Sequence, residues 1–154
     1  MFPSTTTRVP LHTAEAYNEA IRRRTEENIA RCAAGGAEAI ERRLTELDEE
    51  WDIERTLEAN AATVSLIGVA LSALVDRRFM IVPGLAAGFL LQHALQGWCP
   101  PVPLFRRLGV RTEHEIDEER YALKALRGDF RGLPPANDGK TSAAVHRAFR
   151  ASEE

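Results

Sequence analysis

Residues 59–99 read ANAATVSLIGVALSALVDRRFMIVPGLAAGFLLQHALQGWC. From Ala59 to Val75, and again from Phe79 to Cys99, there is no Asp, Glu, Lys or Arg, and Asp76-Arg77-Arg78 separates the two runs. The first run is about 17 residues, roughly 25 Å of helix at 1.5 Å per residue. That is the short end for a hydrocarbon layer about 30 Å thick, whereas the second run, about 21 residues, is long enough. A three-residue polar connection between two long apolar helices forces them antiparallel. Arg77 and Arg78 can extend their charged heads to a phosphate layer and lengthen the short span in effect.

Outside this window charges recur every two or three residues, so the mean hydropathy of -0.28 hides a sharp split. Upstream, Thr13 is a candidate cap for a helix with Glu15 in its first turn. Gly35-Gly36 predicts a hinge or kink, because each glycine costs about 1 kcal/mol relative to alanine inside a helix. Ile40, Leu44, Leu47 and Trp51 recur at spacings of four, three and four, the mark of one apolar stripe. Neither proline nor glycine separates that helix from the first apolar run, which predicts continuity between them. Downstream, Pro100-Pro101-Val102-Pro103 predicts an abrupt stop, and Leu104-Phe105-Arg106-Arg107-Leu108-Gly109 suits a membrane surface. Thr112 and Glu115 match a capping box, opening a helix that carries Ile116, Leu123 and Leu126 and ends at Gly128.

The fold class read from this pattern is all-α: a membrane-spanning two-helix hairpin with amphipathic cytoplasmic helices before and after it. Residues 1–12 are expected to form a flexible N-terminus and 13–58 a charged amphipathic helical arm. The hairpin occupies 59–99, a Pro-rich exit and amphipathic helix occupy 100–128, and 129–154 form a disordered or loosely helical tail. The alternative is a soluble helical scaffold in which both apolar runs are core. Lipid is favoured because the runs are apolar around most of their circumference, whereas a soluble helix keeps a polar outer stripe. Asn60, Ser65, Ser72, Gln92, His93 and Gln96 argue the other way.

Chain length fits one ordinary domain of 154 residues, and a net charge of -3 gives no sign of the basic face that a nucleic-acid partner normally needs. Cys32 and Cys99 fit no disulfide framework, and Met1 to Thr13 lacks the apolar stretch of a signal peptide. Arg42, Arg43 and Arg55 before the hairpin and Arg106, Arg107 and Arg111 after it outweigh the two arginines in its connection. Both termini are therefore expected in the cytoplasm of a bacterial inner membrane, with Trp98 as an interfacial anchor.

Candidate sites are few. Gly84 and Gly88, and likewise Gly68 and Ser72, have the small-x-x-x-small spacing that lets a second helix approach closely. Steps of four from Gly88 reach Gln92 and Gln96. This set serves either packing within the hairpin or homodimerisation. His93 is an ionisable group inside an apolar run, which marks a candidate intramembrane polar site, beside the reading of a hydrogen-bonded structural histidine. Cys99, at the hairpin mouth, is a candidate reactive thiol or an inert buried one. No Walker loop, dinucleotide fingerprint, paired Cys-x-x-Cys or metal-ligand histidine pair occurs, so no enzyme activity and no cofactor is expected. The expected partners are membrane lipid and a second copy or a larger membrane complex. The leading function is a non-enzymatic module of this kind, the alternative a sulfur-relay or redox-linked protein using Cys99.

Gly97-Trp98-Cys99-Pro100, followed by Leu108-Gly109-Val110-Arg111-Thr112, resembles the YgaP-like transmembrane domain, with Asn60 and Gly68 in keeping. The resemblance covers about residues 53–112. It implies a two-helix inner-membrane module that tends to dimerise and is often fused to, or encoded near, rhodanese-type sulfur-transfer proteins. This chain has no rhodanese domain, and Pro101-Val102-Pro103 replaces the more usual apolar-aromatic residues after Cys-Pro.

Overall fold

The computed structural model describes Ser4 and residues 6–131. Six α-helices and one 3-10 turn make up its regular structure, and no strand occurs among the described residues. The helices are α1 (Arg8–Leu11), α2 (Glu15–Glu49), α3 (Ile53–Leu74), α4 (Ile81–Gln96), α5 (Val102–Arg107) and α6 (Glu113–Arg127), with the 3-10 turn at Arg77–Met80. The chain divides into two compact units, one built from residues up to Thr25 plus Glu50–Ile116, the other from Glu26–Glu49 plus residues from Asp117 onward.

In the first unit α3 and α4, joined through the 3-10 turn, pack against each other. Gly68 is where they meet: a Cβ there would stand 2.6 Å from Pro83 Cδ and 2.9 Å from Val82 Cβ. The opposite faces are bare. Leu66, Ile67, Leu74, Ile81, Leu85 and Leu91 are all exposed, Leu74 by 84% and Leu66 by 72%. Two helical stretches, one ending at Leu74 and one over Arg77–Gln96, are long and apolar enough to cross a membrane. The buried apolar cluster of the unit lies at one end of these helices and consists of Val9, Ile53, Leu57, Cys99 and Val102, with Phe105 and Val110 against it.

Several local expectations need correction. α2 does not run on into α3: Glu50 and Asp52 are extended, and the Asp52 carboxylate caps α3 by accepting from the Arg55 N–H at 2.6 Å. Aspartate satisfies an orphan amide well enough to start a helix without any glycine or proline. The Ile53 N–H donates to the Arg111 carbonyl at 2.8 Å, and Arg111 forks onto Glu50 with both contacts at 2.8 Å. α4 ends at Gly97, left-handed at φ 77°, rather than at Pro100-Pro101. The prolines instead open α5, a position where a missing amide costs nothing. Pro10 lies inside α1, and the Thr13 hydroxyl donates back to the Val9 carbonyl while Ala14 takes the capping position of α2.

Arg106, read above as a surface cation, is buried. Its guanidinium donates to Glu115 at 2.6 and 2.7 Å, to Asn18 Oδ1 at 2.9 Å and to the Val110 carbonyl at 3.1 Å. Leu104, Arg107 and Leu108 do face outward. The capping box forms as expected, with the Thr112 N–H donating to Glu115 at 2.8 Å and the Glu115 N–H to Thr112 Oγ1 at 3.2 Å.

In the second unit Ile40, Leu44 and Leu47 are buried along one side of α2, as their spacing predicts, and Leu123 is buried on α6. Trp51 does not continue that stripe: it is half exposed, with the Arg55 guanidinium 4.3 Å from its ring centroid. Arg43 donates to the buried Glu119 at 2.7 and 3.2 Å, Arg120 pairs with Asp48 and Arg127 with Glu41 and Asp129. Gly36, at φ 76°, breaks the helical geometry of α2 where the glycine pair predicts a kink, and Gly128 at φ 99° closes α6. Residues 132–154, most of the expected tail, and residues 1–3 and 5 lie outside the described residues.

Candidate functional site

The face of α3 that meets α4 carries Leu57, Ala61 and Val64, and one turn before them, at the same helical spacing, stands Glu54. The facing stripe of α4 is Val82, Ala86 and Phe89, and one turn beyond them stands His93. Periods of three and four residues thus bring a carboxylate and an imidazole to the same end of the paired helices. His93 Nε2 and Glu54 Oε2 are 2.8 Å apart, and His93 is 1% exposed.

Arg8 completes the group. It donates to Glu54 Oε1 at 2.8 Å and to the Ala94 carbonyl at 2.7 Å, so it satisfies one of the open carbonyls at the end of α4. Its backbone is held close by Gly97: a Cβ at that left-handed position would lie 2.6 Å from Arg8 carbonyl carbon and oxygen. Burial by itself would raise the Glu54 pKa. The hydrogen bond with His93, then the charges of His93 and Arg8, outweigh burial and hold the carboxyl below its ordinary value.

Cys99 follows the Gly97 turn, is 3% exposed and lies near His93 without a hydrogen bond to it. No partner meets hydrogen-bond geometry at His93 Nδ1, which leaves that nitrogen as a buried, unsatisfied polar atom. Nε2 is thus committed to the ionised Glu54, while Nδ1 is enclosed without a partner. Among the described residues, no group of His, Cys, Asp or Glu is arranged to hold a metal ion.

Cys99 also lines a partly open groove of about 300 Å³ between α3 and α4. Its walls include Leu57, Val64, Leu85, Phe89 and Leu90, and its only amide-bearing side chain is Asn60. Val64, Leu85 and Phe89 are exposed, so the groove opens along the bare apolar flanks of the two helices.

The remaining sequence candidates separate. Gly68 lies in the α3–α4 contact, with Ser72 half-buried one turn on, whereas Gly84 and Gly88 face open space, where an added Cβ would meet nothing within 4 Å. Gln92 is half-buried and Gln96 exposed: steps of four drift about 40° each on a 3.6-residue helix, so neither continues the glycine face squarely. His93 and Cys99 are brought together; Cys32 lies in the second unit, half-buried beside Asn28, Arg31 and Gly35. The sequence reading missed Glu54 and Arg8. Glu54 was accessible by extending the α3 stripe back one turn, while nothing local marks Arg8.

Comparison with family models, with characterised proteins and with solved structures finds no match to this chain.

Proposed function

We propose that the chain is a small, non-enzymatic membrane module: a two-helix hairpin in the inner membrane of a bacterium, with both termini cytoplasmic, that pairs with a second copy or joins a larger membrane complex. The observation that carries this reading is the apolar exterior of α3 and α4, where leucine and isoleucine side chains are more than half exposed. Contiguous exposed apolar surface on this scale calls for lipid or a partner. The resemblance to the YgaP-like transmembrane domain points the same way. Self-association would use the Gly84–Gly88 face, because that glycine pair is not consumed by packing against α3.

Carbonate extraction of membranes followed by crosslinking tests the proposal. The chain is expected to stay in the carbonate-resistant pellet and to crosslink to itself or to another membrane protein. A Gly88→Leu substitution should abolish self-crosslinking while leaving the chain in the pellet. Release into the carbonate supernatant would overturn the membrane reading and favour a soluble helical scaffold.

A second reading, a sulfur relay through Cys99, is supported by one observation, the place of that thiol on the wall of the apolar groove. Mass spectrometry after exposure to a sulfur donor tests it. A persulfide confined to Cys99 is the expected result under this reading; an unmodified thiol overturns it.

A further inference from the structure

The arginines at the end of the hairpin that carries the buried apolar cluster fall into two sets. Arg8, Arg106 and Arg111 each pair with a carboxylate of the same unit, Glu54, Glu115 and Glu50. Arg24, Arg55 and Arg107 are exposed, and among the described residues no carboxylate pairs with any of them. All three stand at the level of the cluster. Arg55 lies on α3 between Ile53 and Leu57, and Arg107 closes α5, which starts at Val102. Arg24 reaches the exit of α5, its Nη1 3.5 Å from where a Cβ of Gly109 would stand.

The apolar neighbours of these cations are exposed as well. Leu104 and Leu108, one turn apart on α5, are 57% and 67% exposed on the side that carries Arg107, while Val102 and Arg106 are buried. Trp51, half exposed, lies beneath the Arg55 guanidinium. Water satisfies the arginines but not the leucines. A bilayer surface satisfies both, because upper acyl carbons and phosphates lie within one side-chain length of each other. The patch is also continuous with the apolar exterior of the hairpin: Pro101, next to α5, and Leu57, two residues past Arg55, both line the groove that opens along α3 and α4. A zwitterionic headgroup brings its own cation, which competes with the arginines; an anionic one does not.

We propose that the outer face of α5, with Arg24, Arg107 and Arg55 around it, docks anionic phospholipid in the leaflet at that end of the hairpin, taking phosphatidylglycerol in preference to phosphatidylcholine. This inference rests on the membrane reading for the presence of lipid, and adds which lipid is held and which residues choose it. The guanidinium groups fork onto phosphate oxygens, and Leu104 and Leu108 hold the six-residue α5 in the plane of the surface. Arg77 and Arg78, on the 3-10 turn at the other end of α3 and α4, meet the opposite leaflet.

The test is native mass spectrometry of the purified full chain in detergent micelles that hold the two lipids in equal amounts. Phosphatidylglycerol should be retained over phosphatidylcholine by at least about tenfold, because each basic residue near an anionic surface contributes roughly a factor of five. Arg24→Gln with Arg107→Gln should bring the ratio to about twofold or below; both side chains are exposed and without an ion pair, so the variant keeps its fold. Arg42→Gln, exposed and paired with Glu38, should leave the ratio unchanged. Glycerol 3-phosphate in about hundredfold excess should not displace the lipid, and higher ionic strength should shrink the preference. Equal retention of the two lipids, an unchanged ratio in the Arg24 and Arg107 variant, or displacement by the soluble phosphate would each overturn the proposal. So would a ratio set by Arg77 and Arg78 alone, or an acidic protein held through Arg24 and Arg107 while the lipid ratio stays flat. Carbonate extraction separates this inference from the module reading. A carbonate-resistant chain without a lipid preference keeps the module and loses the docking surface. A chain that carbonate releases, yet that floats with phosphatidylglycerol vesicles through Arg24 and Arg107 and not with phosphatidylcholine vesicles, loses the module and keeps the surface.

Discussion

Glu115 serves two partners at once: one oxygen accepts from the Thr112 amide in the capping box, and both accept from the buried Arg106 guanidinium. Removing it would strand a cation with essentially no access to water, a change that costs about 3–5 kcal/mol. Glu115→Ala should therefore lower unfolding stability by about that amount, read by denaturant or thermal melting, whereas the paired change Arg106→Met with Glu115→Leu should recover most of it. Burial tends to raise the Glu115 pKa, but its hydrogen bonds with Arg106 and Thr112 hold it below the ordinary carboxylate value, as the partners of Glu54 do for that residue. A carboxylate with a lowered folded pKa adds stability above its unfolded value and loses it as pH falls through the folded one. The unfolding midpoint should accordingly hold steady down to the unperturbed value of 4.5 and drop below it, and Glu115→Ala should flatten that drop. A midpoint insensitive to acid in the parent chain would contradict the ion-pair assignment. The capping box was legible because its two residues are three apart; the Asn18–Arg106 bond spans 88 positions and leaves no local trace.

At the scale of elements, glycine positions that look alike in sequence differ sharply in what surrounds them. Gly68 and Gly88 share the same spacing logic, yet only Gly68 is enclosed, by Pro83 and Val82. Gly68→Ala should push α3 and α4 apart and cost about 1–3 kcal/mol, the range for overpacking a fitted contact. Gly88→Ala should leave the fold unchanged or slightly firmer, since alanine is the better helix former by about 1 kcal/mol. Thermal melts of the two variants side by side check this, and equal losses would show that the glycines share one environment after all. Sequence periodicity located the apolar runs and the Ile40–Leu44–Leu47 stripe, because burial repeats with the helical turn. It could not choose which face of α4 meets α3, because both faces are apolar. Nor did it find the break at Glu50–Asp52, which a single carboxylate cap creates without a helix-breaking residue.

For the whole molecule, the informative position is one that is exposed and central to an apolar run. Ile67 is 55% exposed on α3. In water, Ile67→Asp would be tolerated and would improve solubility; in a bilayer, an aspartate near the centre of a span costs about 2.5–3.5 kcal/mol on insertion scales. The substitution is expected to reduce the carbonate-resistant fraction sharply, while an aspartate placed at the exposed Glu27, Glu27→Asp, leaves it alone. Unchanged partitioning would mean that Ile67 does not face lipid. The charge split that suggested a membrane was visible in the sequence from the outset. The Cys–His–Glu set was half visible: His93 and Cys99 stand out as polar groups in an apolar run, whereas Glu54 belongs to the charged arm and joins them only once α3 and α4 lie side by side.

The bond from the Ile53 amide to the Arg111 carbonyl, together with the Arg111–Glu50 fork, has a mechanical corollary. It ties the strand of polypeptide going into α3 to the strand coming out after α5, so the residues between Ile53 and Arg111 form a closed ear on the chain. Tension arriving through Glu49 on one side and Thr112 on the other meets this clasp, in shear, at the base of the ear. The N-terminal segment grips the same helix ends separately, through Arg8 on Glu54 and on the Ala94 carbonyl, so the ear is fastened at its base by two independent holds.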